Sequence, residues 1–537
     1  MVLISRFDVC SMDVQILYGH RNIPSTSMKF SREETKFKDT MSLPATSPTE
    51  TSIKSLQRDT PPLSRSRHAV DAILSPIRRV PLDLLHEIVL HCLPVHPTIQ
   101  SASPIISSLS QVSSTWRTAV LSSPRLWSRL FVTIRDEDSL DNCAQMVTRW
   151  FQRARSVPLS FFLNIDFEAF EEDIARIRPF LVDLSSVMPR VQHFGLHAQL
   201  TTELLCSFVD LDWKFPQLKK LDLFSHADID QIDPVAYSVP LFQSAPNLVQ
   251  VAIQNTITSS PDLQHILPWS QLTDINVAYS ISISRWIEIM RMCPKMLVLE
   301  VFFGREDVSP LSLDSYFPKG IHSSLERLYL DILNGGLPFL KLLSLVSLPA
   351  LRTLHVLYHS EPPLEFPRPQ GNSMLANLRE FSFSAMRLKF PREHSTYLIE
   401  ILREMVNLEE LELQQATEDF IPLYEAISFK RPEKAILPRL NTIKLWVSSD
   451  SVPENEKELQ PLFEMLSLRC KEDIVPVGYE PLGDFLVGVE TEGTREQVRK
   501  VFGPWVTDLP PQLRVSIDLS RHYRFDQPEG WTFPISE

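Results

Sequence analysis

A six-residue unit with apolar side chains at its first, fourth and sixth positions recurs along most of the chain. Ten copies begin 24 to 32 residues apart, and all thirty of the repeated positions are apolar. This alternation predicts short strands that each bury one face. The ten units are VQHFGL (191–196), LKKLDL (218–223), LVQVAI (248–253), LTDINV (272–277), MLVLEV (296–301), LERLYL (325–330), LRTLHV (351–356), LREFSF (378–383), LEELEL (408–413) and LNTIKL (440–445).

The segments between these units have apolar residues at helical spacing, as in residues 285–290 and 397–402. A repeated order of strand, loop and helix predicts an α/β solenoid with parallel strands on its concave face and helices on its convex face. The motif and its period resemble those of leucine-rich repeats over residues 150–469. The asparagine that usually follows the motif in that family is absent from all ten copies. The resemblance is therefore to a divergent array.

Ahead of the array, the apolar pattern is helical. Residues 81–93 begin with proline, which is favourable at the first position of a helix. Apolar residues at positions 81, 84, 85, 88, 89 and 92 predict one buried stripe. A second apolar run at helical spacing covers residues 105–120, and Trp127 follows a Ser-Pro break. The pattern predicts a small all-α unit in front of the solenoid.

The residues of this helical unit resemble an F-box of the type common in fungal proteins. The resemblance rests on PIRRVPLDLLHEI (76–88), LSQVSSTWR (109–117) and SPRLW (123–127), and it covers residues 74–130. It implies that these helices bind a Skp-family adaptor of a cullin complex. The residues that match the adaptor-facing or supporting apolar positions of the family are Pro81, Leu82, Leu84, Leu85, Ile88, Val112 and Trp116.

Outward positions of the predicted strands would form the surface that contacts a target protein. Aromatic and arginine side chains are common anchors of such interfaces. The alternative for the aromatic residues is that loops or the chain termini cover them. The six candidate residues of this concave face are Phe224, Phe302, Arg327, Tyr329, His355 and Trp446.

Two flanking regions lack the repeat pattern. Residues 1–72 contain a tract rich in Ser, Thr and Pro, which buries too little apolar surface to offset its ordering entropy. We predict that this region is largely disordered. Residues 470–537 are predicted to be a C-terminal cap, because a repeat array must cover its last core face. A helix is expected over residues 459–468 and a strand over residues 514–519.

The composition and the absence of known motifs argue against several classes of function. The 53 basic and 66 acidic residues give a net charge of −13, which repels nucleic acid and anionic lipid. Only 13 residues are glycine, and no phosphate-binding loop or nucleophile elbow occurs. The six cysteines are widely spaced, as in proteins with reduced thiols. We expect a cytoplasmic or nuclear protein with no membrane or nucleic-acid partner and no catalytic, cofactor-binding or metal site.

These observations lead to one leading interpretation and one alternative. In the first, the chain is the substrate-recognition subunit of an SCF-type cullin–RING E3 ubiquitin ligase. The F-box binds a Skp-family adaptor, the repeats bind a target protein, and other subunits do the chemistry. In the alternative, the chain is a non-catalytic repeat scaffold whose F-box-like helices only cap the array.

Overall fold

The computed structural model describes most of the chain between Val80 and Leu519, with gaps between many of the strands and helices. The predicted disordered region (1–72) and the end of the predicted cap (520–537) lie outside these residues. The described ranges are 80–134, 140–165, 177–198, 208, 211, 213–224, 242–254, 265–304, 323–333, 338–359, 374–385, 392–414, 420–447, 452, 456–471, 474–489 and 491–519.

Fourteen parallel strands form one sheet whose spatial order follows the order of the chain. Each strand is joined to the next by a crossover segment, as parallel pairing requires. This arrangement confirms the predicted leucine-rich-repeat-like α/β solenoid. The strands are β1 (Arg129–Ile134), β2 (Leu159–Ile165), β3 (Val191–His197), β4 (Lys220–Phe224), β5 (Gln250–Gln254), β6 (Asp274–Ser280), β7 (Val298–Phe303), β8 (Arg327–Ile332), β9 (Thr353–Tyr358), β10 (Glu380–Ala385), β11 (Glu410–Gln414), β12 (Thr442–Val447), β13 (Asp484–Val489) and β14 (Arg514–Leu519).

The thirty repeated apolar positions form the inner layer of the sheet. Each of them is at most 2% exposed to solvent. The strands pair in register, so that Leu328 of β8 lies between Leu299 of β7 and Leu354 of β9. Full burial of such a side chain stabilises the fold by about 1.5–3 kcal/mol. The repeat pattern of the sequence therefore marks the main source of stability of the solenoid.

In the described parts of the chain, eight helices pack their apolar sides against the inner face of the sheet. In one of them, Ser282 accepts a hydrogen bond from the backbone N–H of Arg285 and so caps the first turn. Trp286 and Met290, one turn apart, are buried in the common core. The helices are α4 (Leu140–Arg153), α5 (Ile177–Leu184), α6 (Ile283–Met292), α7 (Phe339–Ser344), α8 (Arg392–Glu404), α9 (Ile421–Ile427), α10 (Glu456–Cys470) and α11 (Glu492–Val506).

Three further helices precede the sheet and cover its first strand. They are α1 (Leu82–Cys92), α2 (Ile99–Val112) and α3 (Ser114–Ser122). The backbone of Thr98, which caps α2, also forms a bridge with Phe131 of β1. The indole N–H of Trp127 donates to the carbonyl of Val120 at 3.2 Å, and its ring meets that of Trp150 edge-on at 4.8 Å. The helical unit and the repeats therefore share one core.

The predicted buried stripe of α1 is wrong in its extent. Leu85 and Val89 are fully buried, but Leu84, Ile88 and Cys92 are exposed. The physical reason is that α3 and the turn at 124–127 cover one side of α1 only. The other side carries apolar residues without a neighbouring helix among the described residues.

The sheet extends beyond the ten predicted repeats at both ends. Strands β1 and β2 precede the first repeat, and β13 and β14 follow the last one. The strand expected over residues 514–519 is β14, and the helix expected over residues 459–468 lies within α10. The region predicted as a cap thus continues the sheet by two strands.

A buried arginine holds α10 against the preceding repeat. The Arg469 guanidinium donates to the carbonyls of Ile427, Ile436 and Leu437 at 2.7–3.2 Å. It also lies 4.6 Å from the centroid of the Phe429 ring. Burial lowers the pKa of Arg469 to about 10. Its donors occupy carbonyls that the turn before β12 would otherwise leave unpaired in the core.

Candidate functional site

Side chains that point away from the helices form three rows across the sheet, and we call this surface the outer sheet face. It corresponds to the predicted concave face. On β8 the first row contains Arg327, the middle row Tyr329 and the third row Asp331. The middle row consists of Phe131, Phe162, Gly195, Asp222, Ala252, Asn276, Glu300, Tyr329, His355, Ser382, Glu412, Lys444, Leu486 and Ser516.

All six candidate residues of the concave face lie on this surface, on five strands between β4 and β12. Tyr329 and His355 are neighbours, with parallel rings whose centroids are 4.6 Å apart. Phe302 lies in the third row, where its ring meets the ring of His359 edge-on at 6.1 Å. Arg327 is exposed in the first row. These four residues lie close together on β7–β9. We call this part of the face, together with the adjoining residues of β6, the central neighbourhood.

Phe224 and Trp446 lie at opposite ends of the outer sheet face. The ring of Phe224 meets that of His197 edge-on at 6.1 Å. The indole ring of Trp446 lies across Gly488 of β13, where an added Cβ would come within 2.5 Å of the ring. Glycine is therefore required at position 488 for Trp446 to lie flat on the sheet. Both aromatic side chains are half-buried.

The central neighbourhood also contains polar residues that the sequence did not single out as a site. Asn276, Glu300 and Tyr329 are consecutive in the middle row. The Asn276 amide donates to Glu300 at 2.5 Å, and His359 Nε2 lies 2.6 Å from Asp331 Oδ1. Burial raises the pKa of Glu300 to about 8, with a further contribution from the Asp331 charge. Burial likewise raises the pKa of Asp331.

The C-terminal part of the outer sheet face has carboxylates that are already paired. Glu412 accepts hydrogen bonds from the Trp446 indole at 2.8 Å and from the Ser382 hydroxyl at 3.2 Å. Lys444 forms an ion pair with Glu410. Burial alone would lower the pKa of Lys444, but the hydrogen bond and charge of Glu410 raise it. This group is internally satisfied.

The N-terminal part combines aromatic rings with a buried hydrogen bond between a histidine and an aspartate. Phe131 and Phe162 are stacked at 5.7 Å, and the ring of His96 meets both edge-on. His193 Nε2 lies 2.6 Å from Asp222, which is fully buried. Burial lowers the pKa of His193, and the bond to Asp222 opposes that change. These side chains pack against one another, with the ring of Phe162 edge-on to that of His193.

The adaptor-binding candidates divide into an exposed and a buried set. Leu82, Leu84, Ile88 and Val112 are 40–56% exposed, and Pro81 is exposed as well. Leu85 and Trp116 are buried and can support the helices but cannot contact another protein. The exposed members lie on α1 and at the end of α2.

The described residues contain few features of a metal site or a membrane-spanning segment. No group of three His, Cys, Asp or Glu side chains there could hold a metal ion. His86 lies 3.5 Å from the Ser122 hydroxyl, and His96 is packed against aromatic rings. Within the same ranges, no helix is both long and apolar enough to cross a membrane.

Comparison with known proteins identifies no family for this chain. No protein-family model matches it, and no curated protein matches it. Among solved structures, it is similar to a chain in the crystal structure of the TLR13–ssRNA13 complex, with 15% identity and a TM-score of 0.31. The match covers 77% of this chain and 47% of that chain, so this chain spans about half of its length. Its own strand order and buried repeat positions define it as a leucine-rich-repeat-like solenoid.

Proposed function

We propose that the chain is a non-catalytic, substrate-recognition subunit of an SCF-type cullin–RING E3 ubiquitin ligase. A repeat solenoid of this kind is suited to binding proteins through its long sheet face. Helices α1–α3 would bind a Skp-family adaptor and the outer sheet face would bind a target protein. The chain would raise the effective concentration of the target near a ubiquitin-charged enzyme. The proposed compartment is the cytoplasm or the nucleus, without a nucleic-acid or membrane partner.

The observation that carries the proposal is the exposed apolar surface on α1 and α2. Leu84 and Ile88 are one helical turn apart and more than 40% exposed, and Val112 is 55% exposed at the end of α2. Exposed apolar residues that occur singly are ordinary, whereas several on one small helical unit favour a protein-binding surface. By the resemblance stated above, the same positions match adaptor-facing or supporting apolar positions of the F-box family.

The alternative function, a scaffold whose helices only cap the array, accounts for part of the helical unit. Capping needs Leu85, Val89 and Trp127, which are buried against the first repeats. It gives no reason for large apolar side chains on the uncovered side of α1. A capping helix would be more soluble with polar residues at Leu84 and Ile88.

Capture of the adaptor by the full chain tests the proposal. We expect a purified Skp-family adaptor to co-purify with the wild-type chain and not with the double variant Leu84→Lys, Ile88→Lys. Both side chains are exposed, so the two charges disrupt binding without burying a cation. A matched control is Val182→Lys on α5, which is 49% exposed and lies outside the helical unit.

The control variant is expected to capture the adaptor as well as the wild type does. Thermal unfolding of all three proteins measures whether the fold is retained. If the double variant is folded and still captures the adaptor, or if the wild type captures none, the helices act as a cap and the ligase assignment is wrong.

A further inference from the structure

The central neighbourhood of the outer sheet face contains a buried hydrogen-bond acceptor that has no partner among the described residues. The Asn276 side chain is 4% exposed, and its Oδ1 has no hydrogen-bond partner in the described part of the chain. Its Nδ2 donates to Glu300, so the amide is held in place beside that carboxyl group. A buried acceptor without a partner costs about 1–3 kcal/mol. A hydrogen-bond donor placed at Oδ1 would remove this cost.

The Glu300 carboxyl group lies next to that amide, and the Asp331 carboxyl group lies on the strand that follows. Glu300 of β7 and Asp331 of β8 are diagonal neighbours on the sheet. The charge of Asp331 contributes to the raised pKa of Glu300. Within the described ranges, neither carboxyl group forms an ion pair with a lysine or an arginine, and the imidazole of His359 is the partner of Asp331. A positive charge placed between them would stabilise the ionised form of Glu300.

Aromatic rings border the same group on two sides. Tyr329 follows Glu300 in the middle row and is stacked on His355. Phe302 faces Asp331 in the third row and contacts the ring of His359. A planar cation can stack on such rings while its N–H groups reach the acceptors beside them.

The contrast with the C-terminal part of the same face is informative. There, Glu410 and Glu412 receive donors from Lys444, Ser382 and Trp446 of the chain itself. No equivalent lysine or indole reaches Glu300 among the described residues. Glu300 and Glu412 both lie in the middle row, but among the described residues only the C-terminal carboxylates receive a lysine or an indole donor.

We propose that Asn276, Glu300 and Asp331, bordered by Phe302 and Tyr329, bind the guanidinium group of an arginine on the target protein. Arginine fits because it presents five N–H donors and no acceptor. Carboxylates and an amide oxygen accept these donors, and bidentate contacts with a carboxylate add specificity. The proposal rests on the proposed target-binding function of the outer sheet face and identifies an anchor of that target.

The experiment compares two pools of nine-residue peptides that differ only in the residue at their central position. Both are randomised except at the central position, which is arginine in one pool and citrulline in the other. Citrulline has nearly the same shape but is uncharged. The pools are passed over immobilised full-length protein at pH 7.5 and physiological salt. We expect about tenfold greater retention of the arginine pool, the effect of one or two charged hydrogen bonds.

Three variants locate the effect. Glu300→Gln and Asp331→Asn keep the side-chain shape and are expected to reduce the arginine preference to less than twofold. Glu288→Gln, on α6, removes one charge from the helical side of a neighbouring repeat, where Glu288 pairs with Arg285. This control is expected to keep the wild-type preference. Thermal unfolding of each variant confirms that the fold is intact.

Equal retention of the two pools by the wild type would overturn the proposal, as would a preference that persists in folded Glu300→Gln and Asp331→Asn. Neither result depends on the adaptor, which binds elsewhere in the proposed function. Loss of adaptor capture with a retained arginine preference would instead remove the ligase assignment and leave this site in place.

Discussion

The repeats and the N-terminal helices differ in where they place their large apolar side chains. In the repeats, all thirty of the periodic apolar positions are at most 2% exposed, and Leu328 is typical of them. On α1 and α2, by contrast, four large apolar residues are 40–56% exposed, including Leu84 and Ile88. Both regions follow regular patterns in the sequence, but only the repeats bury the whole pattern.

Hydrophobic periodicity therefore has two structural meanings in this chain. In the repeats, each strand has a neighbouring strand on both sides, and its apolar positions belong to one common core. Helix α1 has α3 on one side and no helix on the other among the described residues. The apolar side chains that remain uncovered there have the exposure expected of a binding surface.

The largest expected effect separates the two regions by stability. Leu328→Ala removes a fully buried side chain from the middle of the sheet and is expected to lower the free energy of unfolding by about 2–5 kcal/mol. Leu84→Ala removes the same atoms from a 56% exposed position and is expected to change it by less than about 0.5 kcal/mol. Thermal and urea unfolding of the two variants measure the contrast. Similar losses in both would show that Leu84 belongs to the core.

The next effect is a change of the unfolding free energy with pH, and it arises from Glu300 on the outer sheet face. The pKa of Glu300 is raised from 4.5 to about 8, so the folded chain binds this proton more tightly than the unfolded chain does. Its contribution to stability is therefore full below pH 4.5 and is lost as pH rises towards 8. Each pH unit within that window costs up to about 1.4 kcal/mol.

The measurement is the unfolding free energy of the wild type and of Glu300→Gln between pH 5 and 8. The variant is expected to gain stability relative to the wild type as pH rises, because glutamine cannot ionise. Glu288→Gln, on the helical side of the sheet, is expected to follow the wild-type curve. A constant difference between the wild type and Glu300→Gln would show that Glu300 is already ionised at pH 5.

The regular part of the fold could be predicted from the sequence because each repeat obeys the same local rule. The ends of the sheet could not. Leu482, Phe485 and Val487 follow the six-residue pattern, but they begin 42 residues after the unit at Leu440. Helix α10 fills that interval, so spacing alone hides β13. Strand β2 has Pro158 where the first apolar position of a unit would stand, so the pattern hides that strand too.

The candidate site was predicted in part, and the missing part depends on contacts between strands. The sequence indicates that Phe302, Tyr329 and His355 point outward, since they occupy polar positions of the units. It does not indicate that Asn276 is buried and Glu300 half-buried on that same face. Their burial comes from side chains of neighbouring strands. The sequence also favoured burial of Leu84 and Ile88, since it does not show which side of α1 lacks a neighbour.

Hydrogen–deuterium exchange of the full chain, with and without a Skp-family adaptor, tests most directly whether the two regions have separate roles. We predict that the adaptor slows exchange in α1 and α2, residues 82–112, and leaves strands β6–β12 unchanged. Protection of the strands, or no protection of α1 and α2 at saturating adaptor, would contradict the assignment of the exposed apolar surface to adaptor binding.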